Sequence, residues 1–334
     1  MEKRKKVTIT DIAKMCNVSI KTVSRVLNDG ENVSERTRKK VEQAIKESGY
    51  QVNILARGLK GNRTDVIMVF TDRHEEEHLS IWHILMLKYI FIYAKKNNLK
   101  VVMSPSNSSK FMSDETDGYY LLENGLADGV ILLECIPNDM RAKALKERNI
   151  PFVVFGESDD PALCTVSLDN FQTGYKGGNY LVTHGYKNID FLVGDNRYGS
   201  NQKRVDGFVE ATKNCKGEIN VCYGASTVEK AYQIAVETLK KRKPDAFFVS
   251  GDERAVGVYR AISEAGYKIP EDVAVLGIDN IPTGNYLHPR ISTVDQDFDT
   301  LARMCVENLL NMIHGKEFIQ HYRLLPSVVE REST

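Results

Sequence analysis

Between Val66 and Ile278, short apolar runs alternate with stretches of helical periodicity, and that alternation restricts most of this chain to a parallel-sheet fold. The runs at residues 66–70, 101–103, 129–133, 152–155, 191–193, 246–249 and 273–278 are continuously apolar, as strands covered on both faces must be. Amphipathic stretches at 81–96, 170–183, 202–213, 228–241, 252–265 and 298–312 supply the covering helices. The pattern predicts a doubly wound α/β architecture with ligands at the carboxyl ends of the strands. Its length is more than one such unit needs, so two similar lobes around a cleft are expected.

A different pattern precedes this body. From Thr8 to Asn28 two short helix patterns flank a tight polar turn. Thr10 and Asp11 are placed to cap the first helix, with Ile12, Ala13 and Met15 available for its buried side. Asn17 is the turn residue best able to take positive φ, and Ser19 caps a second helix over Ile20–Leu27. Val23, Val26 and Leu27 face inward there, leaving Ile20, Lys21, Ser24 and Arg25 outside. That is the layout of a helix-turn-helix whose second helix enters the DNA major groove. A third helix is expected from a cap at Ser34 to a stop at Gly49, with Arg36, Arg38, Lys39 and Lys40 near its start. Charge agrees. Residues 1–63 hold 15 Lys/Arg against 7 Asp/Glu, while the whole chain has 45 of each, which leaves 30 against 38 for the rest. A neutral total conceals a basic head on an acidic body, the footprint of a nucleic-acid module joined to something else.

Val18-Ser19 and Thr22-Val23-Ser24-Arg25-Val26-Leu27-Asn28 resemble the DNA-binding headpiece of the lactose-repressor (LacI/GalR) family of bacterial transcription regulators, nearly residue for residue. The resemblance extends through the linker and body. It implies an all-α helix-turn-helix headpiece followed by a two-lobed body like a type I periplasmic binding protein, with parallel sheets and three crossings between lobes. The implied divisions are 1–50 for the headpiece, 51–63 for a hinge helix and 64–331 for effector binding and dimerisation. Lobe 1 would hold about 64–163 and 293–325, and lobe 2 about 164–292 and 326–331. By resemblance Ile20, Lys21 and Arg25 read bases, and their chemistry fits: Lys and Arg donate to guanine, and Ile meets a thymine methyl. In the hinge, Asn53, Ala56 and Leu59 would sit in the minor groove with Leu59 as wedge. Val52 stands where the family usually has proline.

The effector contacts implied by the resemblance are Ser200 and Arg204 (with Arg204-x-x-Gly207-Phe208), Asp252 and Asp279 at strand ends, and Gln296 and Phe298 in the lobe-crossing segment. Arginine and aspartate offer paired donors and acceptors suited to a sugar's vicinal hydroxyls, and an aromatic ring covers its apolar face. Two departures bear on the ligand. Gly251 replaces a common asparagine, and residues 71–82 replace the usual Asn-Pro and aromatic loop. The expectation is a cytoplasmic, sequence-specific repressor, homodimeric on a pseudo-palindromic operator and controlled by a small-molecule effector, a sugar or sugar derivative. The segment Glu330-Arg331-Glu332-Ser333-Thr334 carries no heptad, which favours dimer over tetramer.

Competing readings are an effector-independent or corepressor-dependent regulator, a sugar receptor, and a zinc hydrolase. No membrane-length apolar run or signal-peptide pattern supports the receptor. Six cysteines without CxxC spacing read as free thiols. His74-Glu75-Glu76-Glu77-His78 satisfies H-E-x-x-H, with His83 nearby, but three consecutive glutamates between a strand and a helix leave no apolar face to bury such a site. No catalytic residue, metal or cofactor is therefore assigned.

Overall fold

The computed structural model describes residues 7–27, 30–50, 63–72, 79–108, 110–133, 135–136, 138–158 and 160–334. The chain divides after Thr64 into two compact units. The hinge residues Asn53, Ala56 and Leu59, and the His74–His78 pattern, lie outside the described residues.

In the first unit, α1 (Ile9–Met15), α2 (Ile20–Leu27) and α3 (Glu35–Ser48) enclose a core of Ile12, Ala13, Cys16, Val23, Val26, Val41 and Ala44. The cap of α1 is Thr8, not Thr10 or Asp11. Thr8 Oγ1 accepts from Asp11 N at 3.3 Å, and the Asp11 carboxylate accepts from Thr8 N at 2.9 Å. This reciprocal box satisfies two terminal donors at once, which a cap at either later residue would leave open. Met15 is 55% exposed, because the inward line of α1 runs through Ile12, Ala13 and Cys16. Asn17 takes φ +49°, and Ser19 Oγ accepts from Thr22 N at 3.0 Å at the start of α2. Ser34 caps α3, which ends at Gly49 with φ +65°.

The body holds two six-stranded sheets among its described residues. The first contains β1 (Val66–Asp72), β2 (Lys100–Ser106), β3 (Gly129–Leu132), β4 (Phe152–Phe155), β5 (Thr165–Leu168) and β11 (His321–Leu324), ordered β11-β5-β4-β3-β1-β2 and parallel throughout. The second contains β6 (Ile189–Leu192), β7 (Ile219–Cys222), β8 (Ala246–Val249), β9 (Ala274–Asp279), β10 (Ser292–Asp295) and β12 (Ser327–Val329), ordered β12-β10-β9-β8-β6-β7 with only β12 antiparallel. The two orders repeat one topology, in which the first strand of each lobe lies between the second and third. That places a switch point at the carboxyl ends of β1/β3 and of β6/β8. Alternate residues of β1 serve opposite faces: Ile67 and Val69 join one core cluster, Met68 and Phe70 another. Burial on both sides explains why the run reads as uninterruptedly apolar.

Two expected lobe boundaries are corrected. β5, placed by expectation in lobe 2, pairs with β4 and β11 in the first sheet. Residues 293–295, placed in lobe 1, belong to β10 and pair with β9. Both strands carry polar residues (T-V-S-L and S-T-V-D), so apolar runs could not reveal them. Crossings between lobes follow β5, β10 and β11, and the helix Phe298–Ile313 packs in the first lobe. No helix among the described residues is long and apolar enough to cross a membrane.

Candidate effector cleft and recognition helix

In the head, α2 presents Ile20 (43% exposed), Lys21 and Arg25 on its outer face, while Val23 and Val26 are buried. Arg38 is half-buried and donates Nη2 to Gly30 O at 3.0 Å, which ties α3 to Gly30.

In the body, a cleft of about 920 Å³ opens at the carboxyl ends of strands from both sheets. Of the effector residues expected from sequence, Ser200, Arg204, Asp279 and Gln296 line it. Arg204 donates Nε to Asn170 Oδ1 at 2.9 Å and Nη1 to Ser250 Oγ at 3.0 Å. Asp279 accepts from Gln296 Nε2, whose Oε1 in turn accepts from Trp82 Nε1 at 3.3 Å. A donor set and an acceptor set therefore meet in one cavity, beside a wall formed by Trp82 and Phe155 with ring centroids 5.3 Å apart. Burial pushes the Asp279 carboxyl up to about 6, although Arg204 and Arg254 pull it down. Burial also lowers the Arg204 guanidinium, against the opposing pull of Asp279.

Two expected contacts lie elsewhere. Asp252 is 1% exposed and turns away from the cavity, accepting from Ile281 N at 3.0 Å and Thr293 Oγ1 at 2.8 Å. It braces the ends of β9 and β10 from behind, and burial raises its carboxyl well above the ordinary value, with Asp279 adding to the rise. Phe298 is 6% exposed and packs in the first-lobe core, its ring centroid 6.4 Å from that of Trp82. It backs the aromatic wall without lining the cleft.

Several contributors were not found from sequence. Asn170 opens the helix Asn170–Thr183 one residue after its Asp169 cap, and Ser250 follows β8. Arg141, fully buried, grips Asp139 through Nε (3.0 Å) and Nη2 (2.7 Å), and donates Nη1 to Ser106 O at 2.8 Å, tying together loops at the cleft end of the first sheet. Contacts that bridge the lobes include Glu253 Oε2, which accepts from Ile81 N at 2.9 Å, and Glu157, which pairs with Lys203 and accepts from Asn170 Nδ2 at 3.5 Å. His83 Nδ1 faces Ser80 N at 3.2 Å and Ser80 Oγ at 2.8 Å, so this histidine closes the first turn of its own helix.

Residues 8–53 match the family of bacterial regulatory proteins, lacI family, and residues 179–334 match the periplasmic binding protein-like domain. Over 336 residues the chain is 31% identical to the HTH-type transcriptional repressor PurR of Proteus mirabilis (strain HI4320), covering 98% of this chain and 96% of that protein. The chain belongs to the lacI family of bacterial regulatory proteins.

Solved structures match the chain as well. The lac repressor dimer bound to operator and the anti-inducer ONPF aligns at a TM-score of 0.86 with 27% identity, covering 99% of each chain. The transcriptional regulator CelR in complex with cellobiose aligns at 0.73 with 25% identity, covering 98% of this chain and 100% of that one. A LacI-family regulator from Enterococcus faecium with bound ribose aligns at 0.70 with 25% identity, covering 80% of this chain and 98% of that one. This lacI-family chain is thus a DNA-binding transcriptional regulator, with a helix-turn-helix head and an effector-binding body of two parallel-sheet lobes.

Proposed function

We propose that this protein is a repressor that binds a pseudo-palindromic operator as a homodimer and is switched by a polyhydroxylated effector, a sugar or sugar derivative, held between the lobes. The observation that carries the reading is the cleft's array, in which Arg204, held by Asn170 and Ser250, and Asp279, held by Gln296, line one cavity with the Trp82–Phe155 wall. Vicinal hydroxyls both donate and accept, so one ring can satisfy guanidinium and carboxylate together while its apolar face rests on the aromatics. The ribose and cellobiose complexes of relatives support the ligand class. In the head, Ile20, Lys21 and Arg25 are the base readers, and Asn53, Ala56 and Leu59 engage the minor groove. The site of action is the cytoplasm, where operator DNA is found.

Calorimetric titration with pentoses, hexoses, disaccharides, sugar phosphates and nucleosides tests the ligand. A sugar bound by wild type and lost in Asp279→Asn supports the reading; a nucleoside or nothing bound refutes the sugar class. For the head, Arg25→Ala is expected to cost about 1–3 kcal/mol on operator while leaving salt-sensitive binding to random duplex intact. Equal losses on both duplexes in a fluorescence anisotropy titration would remove Arg25 from base reading.

A further inference from the structure

Two consecutive residues at the end of β9 hold left-handed backbone angles: Asp279 has φ +113° and Asn280 φ +54°. Asparagine adopts the region of Asn280 readily, but φ +113° at Asp279 is rare for a residue with a side chain and persists only where the surroundings over-determine it. The surroundings here are specific. Arg331 donates Nη2 to Asn280 Oδ1 at 2.7 Å and Nη1 to Ile291 O at 2.7 Å. Asn280 itself donates Nδ2 to Asp295 Oδ1 and N to Thr293 Oγ1, each at 3.2 Å. The segment carrying Arg331 is anchored independently. Ser292 N donates to Ser333 Oγ at 2.8 Å and Val275 N to Ser333 O at 2.9 Å. Arg331 is therefore a two-pronged clamp on a firm base, reaching the residue next to the cleft carboxylate.

We infer that Arg331 is a positioning residue for Asp279: by clamping Asn280 it fixes the strained turn that aims the Asp279 carboxylate at Gln296 and the cleft. This rests on the proposed role of Asp279 as an effector contact. A guanidinium suits the task because its planar fork fills two fixed directions at once, which an ammonium cannot.

The test needs no effector, so its failure is distinguishable from failure of the sugar reading. Trp82 is the chain's single tryptophan, and it is joined to Asp279 through Gln296. Its emission, followed against pH on the full chain, reports the ionisation of Asp279. The charged groups acting on Asp279 are Arg204 and Arg254, which lower its pKa, and Glu253, which raises it, with the Asp252 carboxyl coupled to it behind. His83 also lies edge-on to Trp82, at 5.1 Å, so the Asp279 step is identified as the one that Asp279→Asn lacks. In wild type that step falls at about pH 6. In Arg331→Ala the turn relaxes, the carboxylate reaches water, and the step moves down by about one unit or more toward the ordinary carboxylate value. Glu332→Ala is the control for general loosening, because Glu332 holds the same segment through an exposed contact with Arg290 Nε at 2.8 Å; its step stays at the wild-type position. Should Arg331→Ala lose its cooperative melt, Arg331→Lys carries the test with the same downward shift expected. A wild-type step in the folded Arg331 variant, or an equal shift in Glu332→Ala, would overturn the assignment.

Discussion

Asp279→Asn is expected to make the protein more stable at pH 8 and at the same time to weaken effector binding. The carboxyl is 7% exposed and its pKa stands at about 6, against an ordinary 3.8. Between those values the folded chain binds more protons than the unfolded one, so stability falls as pH rises through this window and the loss is complete above the folded pKa. A gap of about two units corresponds to about 3 kcal/mol. Asparagine keeps the acceptor for Gln296 and never ionises, so the variant should recover most of that amount at pH 8 and nothing at pH 4. Thermal melts at the two pH values check it: a gain of several degrees at pH 8 that vanishes at pH 4 is the expected pair. Asp252, raised in the same direction, leaves some slope in the variant. Effector affinity should drop on the order of 10- to 100-fold, because a hydrogen bond to a charged acceptor is lost. Stability is thus given up at this position for recognition, and a variant that is less stable at pH 8 would show that the Asp279 charge is held by net attraction.

The second large effect is expected at Gly207. A Cβ there would lie 1.9 Å from Phe171 O and 2.8 Å from Tyr175 N, both backbone atoms of the neighbouring helix Asn170–Thr183. Gly174 is the reciprocal position, where a Cβ would lie 1.8 Å from Arg204 O. Backbone cannot rotate out of the way, so Gly207→Ala must push the two helices apart, at a cost of about 3 kcal/mol or more. Arg204 lies one turn before Gly207 and Asn170 is on the opposing helix, so separation also breaks the 2.9 Å bond between them. The variant should melt several degrees lower and bind effector weakly even when folded. Gly199→Ala, with open space around its Cβ, should melt like wild type. If Gly207→Ala melted like Gly199→Ala, the close crossing would not be what sets Arg204.

The same contrast between local pattern and distant contact explains what the sequence could reveal. Helices Asn170–Thr183 and Val228–Lys241 were legible to the residue, because each alternates buried and exposed positions with helical period and is capped by Asp169 or Thr227, whereas Ile81–Lys96 stood out as a long, nearly continuous apolar stretch. β5, β7 and β10 were not: the first and last bury hydroxyls, and β7 is half-buried along its length. In the cleft, motif resemblance pointed to Ser200, Arg204, Asp279 and Gln296. Asp252 and Phe298 have the right chemistry at the right strand and helix starts, but their side chains turn into β9–β10 and the first-lobe core. Side-chain direction at the start of a helix depends on where the preceding strand ends, and that is set by pairing across the sheet. Asn170, Ser250, Trp82 and Phe155 come from four different element ends. Only the repeated doubly wound topology brings them together, and no spacing along the chain records it.

The central claim is that ligand in the cleft and operator at the head are energetically coupled. The most direct measurement is the full-length protein's affinity for a labelled operator duplex, at fixed salt, with and without a saturating amount of the tightest-binding compound from the calorimetric panel. Coupling of this kind is typically worth about 1–3 kcal/mol, so operator affinity should change on the order of 5- to 150-fold, and Asp279→Asn should bind operator but need on the order of 10- to 100-fold more compound for the same change. An operator affinity identical in the two conditions would contradict the account.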